Sequence, residues 1–252
     1  MEIKIRALKR VKLQLSSTCM FCALVSLNWM PNAVADDCAT DLLNSQRDQN
    51  WVYTLRYKGM ETEALRRLQV SPDTVWELSQ SMSLLLVGLE ERSQMQLIGT
   101  QLGSISYLKE QRGIGARTTQ IDVDVLSGEV SATYKGQSTT YRVDTPVLDP
   151  LSHSLQIQID RQCLAQPSNT QANEGLSYQL LGRSGLSDYR YTLATEEVIA
   201  TPWGELVAEI WQRESGTTID KLWLVPTRAY QLVRVEHIEE GELTSMALLR
   251  VE

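Results

Sequence analysis

The sequence is poor in the residues that usually announce an activity. It has two histidines, four cysteines and one phenylalanine in 252 residues. No HExxH, EF-hand loop or paired-cysteine zinc motif occurs, so a metal centre of a familiar spacing is excluded. No heptad run, solenoid period or low-complexity tail occurs, which excludes coiled-coil and repeat architectures. Basic residues are also scarce, at 24 against 31 acids for a net charge of −7. An acidic chain without a basic patch argues against nucleic acid and against anionic lipid surfaces.

What is present begins at the N-terminus. Lys4, Arg6, Lys9, Arg10 and Lys12 precede an uncharged run from Leu13 to Met30, and Ala33-Val34-Ala35 follows as a small-x-small site. A basic segment, a short apolar run and such a site describe a cleaved secretory signal peptide over residues 1–35. The run is barely long enough to span a bilayer and opens on Ser16, Ser17 and Thr18, so a membrane anchor is not expected. Neither Cys19 nor Cys22 has the small-residue approach of a lipidation site. The mature chain, 36–252, then carries 19 basic and 30 acidic residues, a net charge of −11. Its location is expected to be periplasmic, with no membrane-spanning segment left. At this length one sizeable core is expected, so residues 36–252 read as a single domain.

Two cysteines leave with the leader, and Cys38 and Cys163 remain. In an oxidising compartment an isolated pair is expected to form one disulfide. A metal or redox pair needs closer spacing or further ligands, which are missing. The mature aromatics are all Trp or Tyr, which combine an apolar body with a polar tip.

From Gln49 onward the dominant pattern is period-two alternation. "WVYTLRY" places Trp51, Tyr53, Leu55 and Tyr57 on one face. "IDVDV", "VSATY", "YRYTL" and "ELVAEIW" continue it, and Gly59, Gly128, Gly136 and Gly241 punctuate the runs. Half-buried antiparallel strands have this pattern. "METEALRRLQV" also suits a helical turn, but its neighbours favour a strand. The fold expected is mainly β: one curled antiparallel sheet, a half-barrel or open barrel meander, with one helix packed across its concave face.

That helix is read from "DPLSHSLQIQIDRQC", Asp149 to Cys163. Asp149 suits the N-cap and Pro150 the first helical position. Leu151, Leu155, Ile159 and Cys163 recur every four residues on one face. Alternation of Leu155, Ile157 and Ile159 leaves a strand open for the later half. The polar stretch Ala165 to Gly175 reads as a loop.

Asp149, Ser152 and His153 also invite a hydrolase reading. Neighbours on a helix diverge by about 100 degrees, so Ser152 and His153 would not face each other. "GRSGL" at Gly182 to Leu186 lacks the second glycine of a nucleophile elbow, and "GIGA" at Gly113 to Ala116 lacks the rest of a phosphate loop. Both read as turns. "EHIEEGE" gathers carboxylates around His237, and a solvated hairpin tip is the commoner meaning. Asp122 and Asp124 read as the solvent face of their strand. No catalytic residue, metal ligand or cofactor is assigned.

The stretches "DPLSHSLQIQIDRQ", "EEVIATPWGELVAEIWQRE" and "KLWLVPTRAYQLVRVEHIEEGE", following an opening strand "WVYTLRYKG", together resemble the exported bacterial family catalogued as domain of unknown function 3108. The likeness covers nearly the whole mature chain and lies in the order of short motifs. Leu232-Val233 departs from that family's Leu-Pro, and "IDVD" from its aromatic-rich strand end. The resemblance implies an exported antiparallel protein with no established activity, shaped like the curled sheets of periplasmic lipoprotein carriers. The function expected is non-enzymatic binding of a hydrophobic or lipid-like ligand, or of a lipidated partner. The alternative is a structural protein binding another envelope protein; a hydrolase ranks third.

Overall fold

The computed structural model describes residues 32–164 and 175–252. The expected leader up to residue 31 and the loop residues 165–174 lie outside the described residues. A helix, α1 (Asn32–Gln46), opens the description and runs across the expected cleavage point after Ala35. Eight strands follow: β1 (Asn50–Tyr57), β2 (Met60–Val70), β3 (Trp76–Leu84), β4 (Val87–Ile98), β5 (Gln101–Gly113), β6 (Arg117–Asp124), β7 (Glu129–Tyr134) and β8 (Gln137–Arg142). Then comes helix α2 (His153–Ile159), extended by a π turn over Asp160–Leu164. Six more strands complete the chain: β9 (Leu176–Leu181), β10 (Leu186–Thr201), β11 (Gly204–Ser215), β12 (Thr218–Val225), β13 (Gln231–Glu239) and β14 (Glu242–Val251).

All fourteen strands form one sheet, ordered β8-β7-β6-β5-β4-β3-β2-β1-β14-β13-β12-β11-β10-β9. Every strand pairing is antiparallel, as hairpin alternation predicts. The ambiguous stretch Met60–Val70 is a strand. The two readings of short glycine motifs as turns also hold. Gly113 has φ +81° beside the β5–β6 turn, and a Cβ there would sit 1.7 Å from the Leu86 carbonyl oxygen. Gly182 donates its N–H to the Gly185 carbonyl in the β9–β10 turn.

The sheet must be curled. From β5 to β11 is eight strand steps, about 38 Å if flat. Yet Gln156 accepts from the Leu102 N–H of β5 (2.7 Å), and Arg161, five residues on, pairs with Glu209 of β11 (3.0 Å). Five helical residues rise only about 7.5 Å. The edges β8 and β9 do not pair with each other; Tyr141 Oη donates to the Gly182 carbonyl (2.6 Å), and the Leu181 N–H to the Leu148 carbonyl (2.7 Å). The sheet is therefore an open barrel, tacked across its gap.

Helix α2 lies inside. Asp149 caps the turn that opens it, Oδ1 accepting from the N–H groups of Leu151 (2.8 Å) and Ser152 (2.9 Å), whereas the N-cap position of the helix proper falls on Ser152, which makes no side-chain capping bond. Regular α-helix starts only at His153, because Pro150–Ser152 form a turn first. The stripe Leu151, Leu155, Ile159 and Cys163 is buried. In a straight α-helix a four-residue stripe drifts by about 40° per step. The wider π turn keeps Cys163 in line. The strand alternative for the later half of this segment does not occur. The opposite face is buried too, including Ser154, Gln156, Ile157 and Gln158.

Cys163 is bonded to Cys38 of α1, with Cα atoms 5.7 Å apart. Gln46 Nε2 adds a hydrogen bond to Gln158 Oε1 (2.9 Å). Helix α1 is a second helix that the alternation pattern did not single out. Its Ala39, Leu42, Leu43 and Gln46 recur at i, i+3, i+4, i+7 and are all buried.

Candidate functional site: a polar belt around the buried helix

Inward positions can be followed across the sheet by register. One row runs Leu68–Leu78–Ser93–Tyr107–Ile121 from β2 to β6 and is fully covered. The next row toward the rim runs Arg66–Gln80–Glu91–Lys109. In the other half of the sheet, Arg213–Asp220–His237 continues the belt on β11, β12 and β13. Tyr189 of β10 and His153 of α2 complete it.

The belt divides into committed and uncommitted groups. Asp149 is committed. Its Oδ2 accepts from Ser93 Oγ (2.5 Å) and Ser104 Oγ (2.6 Å), beyond its capping bonds. Burial pushes its carboxyl up, against those hydrogen bonds. Ser152 Oγ meets Ser104 Oγ and the Asp149 backbone. Arg161 pairs with Glu209, whose other oxygen accepts from Trp211 Nε1 (2.8 Å). Its guanidinium also lies over the Trp211 and Tyr230 rings. Asp160 accepts from Tyr178 Oη (2.7 Å) and Gln156 Nε2 (2.8 Å). Lys109 pairs with Glu91 (2.5 Å), and Arg213 with Asp220 (2.5 Å).

His153 stacks beside Tyr191 and holds two contacts, Nδ1 to the Pro150 carbonyl (2.7 Å) and Nε2 to Tyr191 Oη (3.3 Å). Burial, with Arg66 and Arg213 nearby, depresses its pKa to about 4, so the ring is neutral at pH 7. The contacts of Ser152 run to Asp149 and Ser104 and those of His153 to Pro150 and Tyr191, so Asp149, Ser152 and His153 are not assembled as a relay.

His237 joins Asp220 through Nδ1 (2.6 Å), while its neighbour Glu236 turns to Arg234. Of the carboxylates of "EHIEEGE", Glu239 lies 3.8 Å from His237 Nε2, while Glu236 is taken by Arg234. Among the described residues no group of three or more His, Cys, Asp or Glu side chains is placed to hold a metal ion. Asp122 and Asp124 are exposed, as the strand reading placed them.

Arg66 differs from all of these. It is 4% exposed and donates to Ser154 Oγ (2.6 Å). Among the described residues no carboxylate lies within ion-pair distance of it. Burial pushes its guanidinium below the usual value, against the opposing pull of Tyr53 and Glu91. Sequence reasoning passed over Arg66, Arg213 and Asp220. The signal was there: each interrupts an alternating run at an inward position, as Arg66 does between Ala64 and Leu68.

A curled, incompletely closed antiparallel sheet around a buried helix defines a β-barrel-like protein. A solved structure of that kind is the beta-barrel-like protein of domain of unknown function DUF1849 from Brucella abortus. It superposes at a TM-score of 0.51 over 81% of this chain and 96% of its own, at 6% identity. At that identity the likeness shows the fold alone. No family model and no curated protein matches the sequence.

Proposed function

We propose that this chain is an exported, non-enzymatic binding protein of the bacterial cell envelope, of the kind gathered in domain of unknown function 3108. Its ligand is a lipid-like or otherwise hydrophobic molecule, or the lipid of a lipidated partner. The ligand lies on the concave side of the sheet, on the rim side of α2. One observation carries the reading. Helix α2 fills the hollow at the Leu68–Leu78 row, but farther toward the rim Gln80, Met82, Lys109, Val235 and Met246 stay partly exposed although their register faces them inward. Leu55 and Ala64 supply apolar wall beside them. The basic leader and the order of motifs support export and family. The beta-barrel-like neighbour is itself of unknown function and adds no activity to this reading.

The experiment is solvent extraction and mass spectrometry of protein purified gently from the periplasm. A stoichiometric apolar molecule is expected; an empty protein that stays empty after incubation with membrane extract would overturn the reading. The same sample gives the mature N-terminus, expected at Asp36.

A second reading has its own observation. Leu85, Leu86 and Ile114 are 83%, 72% and 67% exposed at neighbouring hairpin tips, joined by the Ile114 N–H to the Leu86 carbonyl (3.3 Å). Such a patch suits contact with another envelope protein. An empty protein that crosslinks through these tips would favour it.

A further inference from the structure

We infer that Arg66 is the anchor for an anionic head group, so that the ligand is an anionic amphiphile with a carboxylate or phosphate head; this rests on the binding reading above. A buried charge is costly unless it is paired. A guanidinium offers five N–H donors in a fork that suits carboxylate and phosphate. Ser154 Oγ takes one of them, and that hydroxyl already donates to the Leu151 carbonyl (2.8 Å).

The carboxylates that could neutralise Arg66 are engaged elsewhere. Glu91, two strands away in the same row, pairs with Lys109. Asp149 is held by two serines and two backbone amides. Asp220 is shared by Arg213 and His237. Among the described residues Arg66 is thus the buried cation of the belt with no carboxylate within ion-pair distance, whereas Lys109, Arg161 and Arg213 each have one.

The surroundings say what the rest of the ligand is. Ala64 and Met82 are the next pair toward the rim on Arg66's own strand and its neighbour, and both pack with the main core. Leu55 and Met246 pair across β1 and β14 one row farther toward the rim. A head group at Arg66 would leave an alkyl chain against these four side chains. A neutral acyl group, as on a lipidated protein, would leave Arg66 unpaired.

The test is isothermal titration of the mature protein with decanoate, decyl phosphate, decanol and decyltrimethylammonium, each below its micelle concentration. Both anions are expected to bind at least tenfold more tightly than decanol or the cation. Arg66→Met should abolish that preference while leaving the weaker binding shared with decanol. Arg66→Lys should keep part of it. The stronger of the two anions would identify a fatty-acid or a phospholipid-type head, and either ranking supports the assignment. Equal binding of decanol and the anions by wild type would overturn the anion assignment and leave the binding reading intact. No binding of any probe would overturn the binding reading, and this inference with it. The wild-type ranking and Arg66→Lys decide the matter even where Arg66→Met does not fold.

Discussion

Two arginines are buried against the same helix, and they are treated differently. Arg161, at the C-terminal end of α2, is 9% exposed and has a carboxylate, two aromatic rings and the nearby disulfide around it. Arg66, nearer the N-terminal end, is 4% exposed and has one hydroxyl. The first arrangement pairs its charge within the chain, with Arg161 Nε alone left without a hydrogen-bond partner, and so reads as architecture. The second leaves a charge with no carboxylate within ion-pair distance among the described residues. Burial of a polar group is thus an ambiguous sign until its partners are counted.

The sharpest way to break this contrast is to remove a partner at the architectural end. Glu209→Ala leaves Arg161 buried and unpaired, and should cost about 3–5 kcal/mol in urea unfolding. Arg66→Met, which removes a charge that had no internal partner, should cost less than about 1 kcal/mol and can stabilise. Equal losses would mean that Arg66 is as structural as Arg161.

Next in size is the crosslink. Replacing Cys38 and Cys163 by serine should cost about 2–4 kcal/mol. Native protein alkylated without reduction should show no free thiol; two labelled cysteines would remove the bond from the account.

A smaller effect is expected on the Arg66 side, at His153. Its folded pKa of about 4 lies below the ordinary value of 6.5. Between those values the unfolded chain takes up a proton that the folded chain refuses, so stability falls as pH drops through this window. The raised carboxyls of Asp149 and Asp160 act in the opposite sense. The difference between wild type and His153→Asn isolates the histidine, and should amount to about 1–2 kcal/mol across pH 6.5 to 4 given the ring's partial contact with solvent. Smallest of all, Tyr191→Phe should cost about 0.5–1 kcal/mol and raise the pH at which His153 titrates, read by proton NMR.

Much of the fold was legible because alternation is a local consequence of a sheet with one wet face. Ile121 and Val123 are buried and Asp122 and Asp124 exposed, as the pattern requires. The cap at Asp149 and the Cys38–Cys163 bond were legible for equally local reasons. Helix α1 was missed because its buried face is short and its composition polar. The belt was missed because a charged residue within an alternating run reads as noise until the register shows what it faces. Arg66 is informative only once Glu91, two strands away in its row, is seen to pair with Lys109, and that row is a property of four strands together. On β11 and β12, Ile210 and Trp223 are buried on one face and Trp211 and Leu222 on the other. Alternation there marks no solvent side, because both faces are covered.

The strand order has a mechanical meaning. The first and last strands, β1 and β14, pair at the centre of the sheet, from Trp51 with Val251 to Tyr57 with Thr244, while the free edges come from the middle of the chain. Every other pairing is between strands adjacent in sequence. Two ladders of hairpins can therefore zip up locally and early, and the β1–β14 seam must wait for the loop-closure entropy of the whole chain. With the Cys38–Cys163 bond reduced, that seam is the joint along which the protein should come apart first when its two ends are pulled, with each ladder still laced within itself.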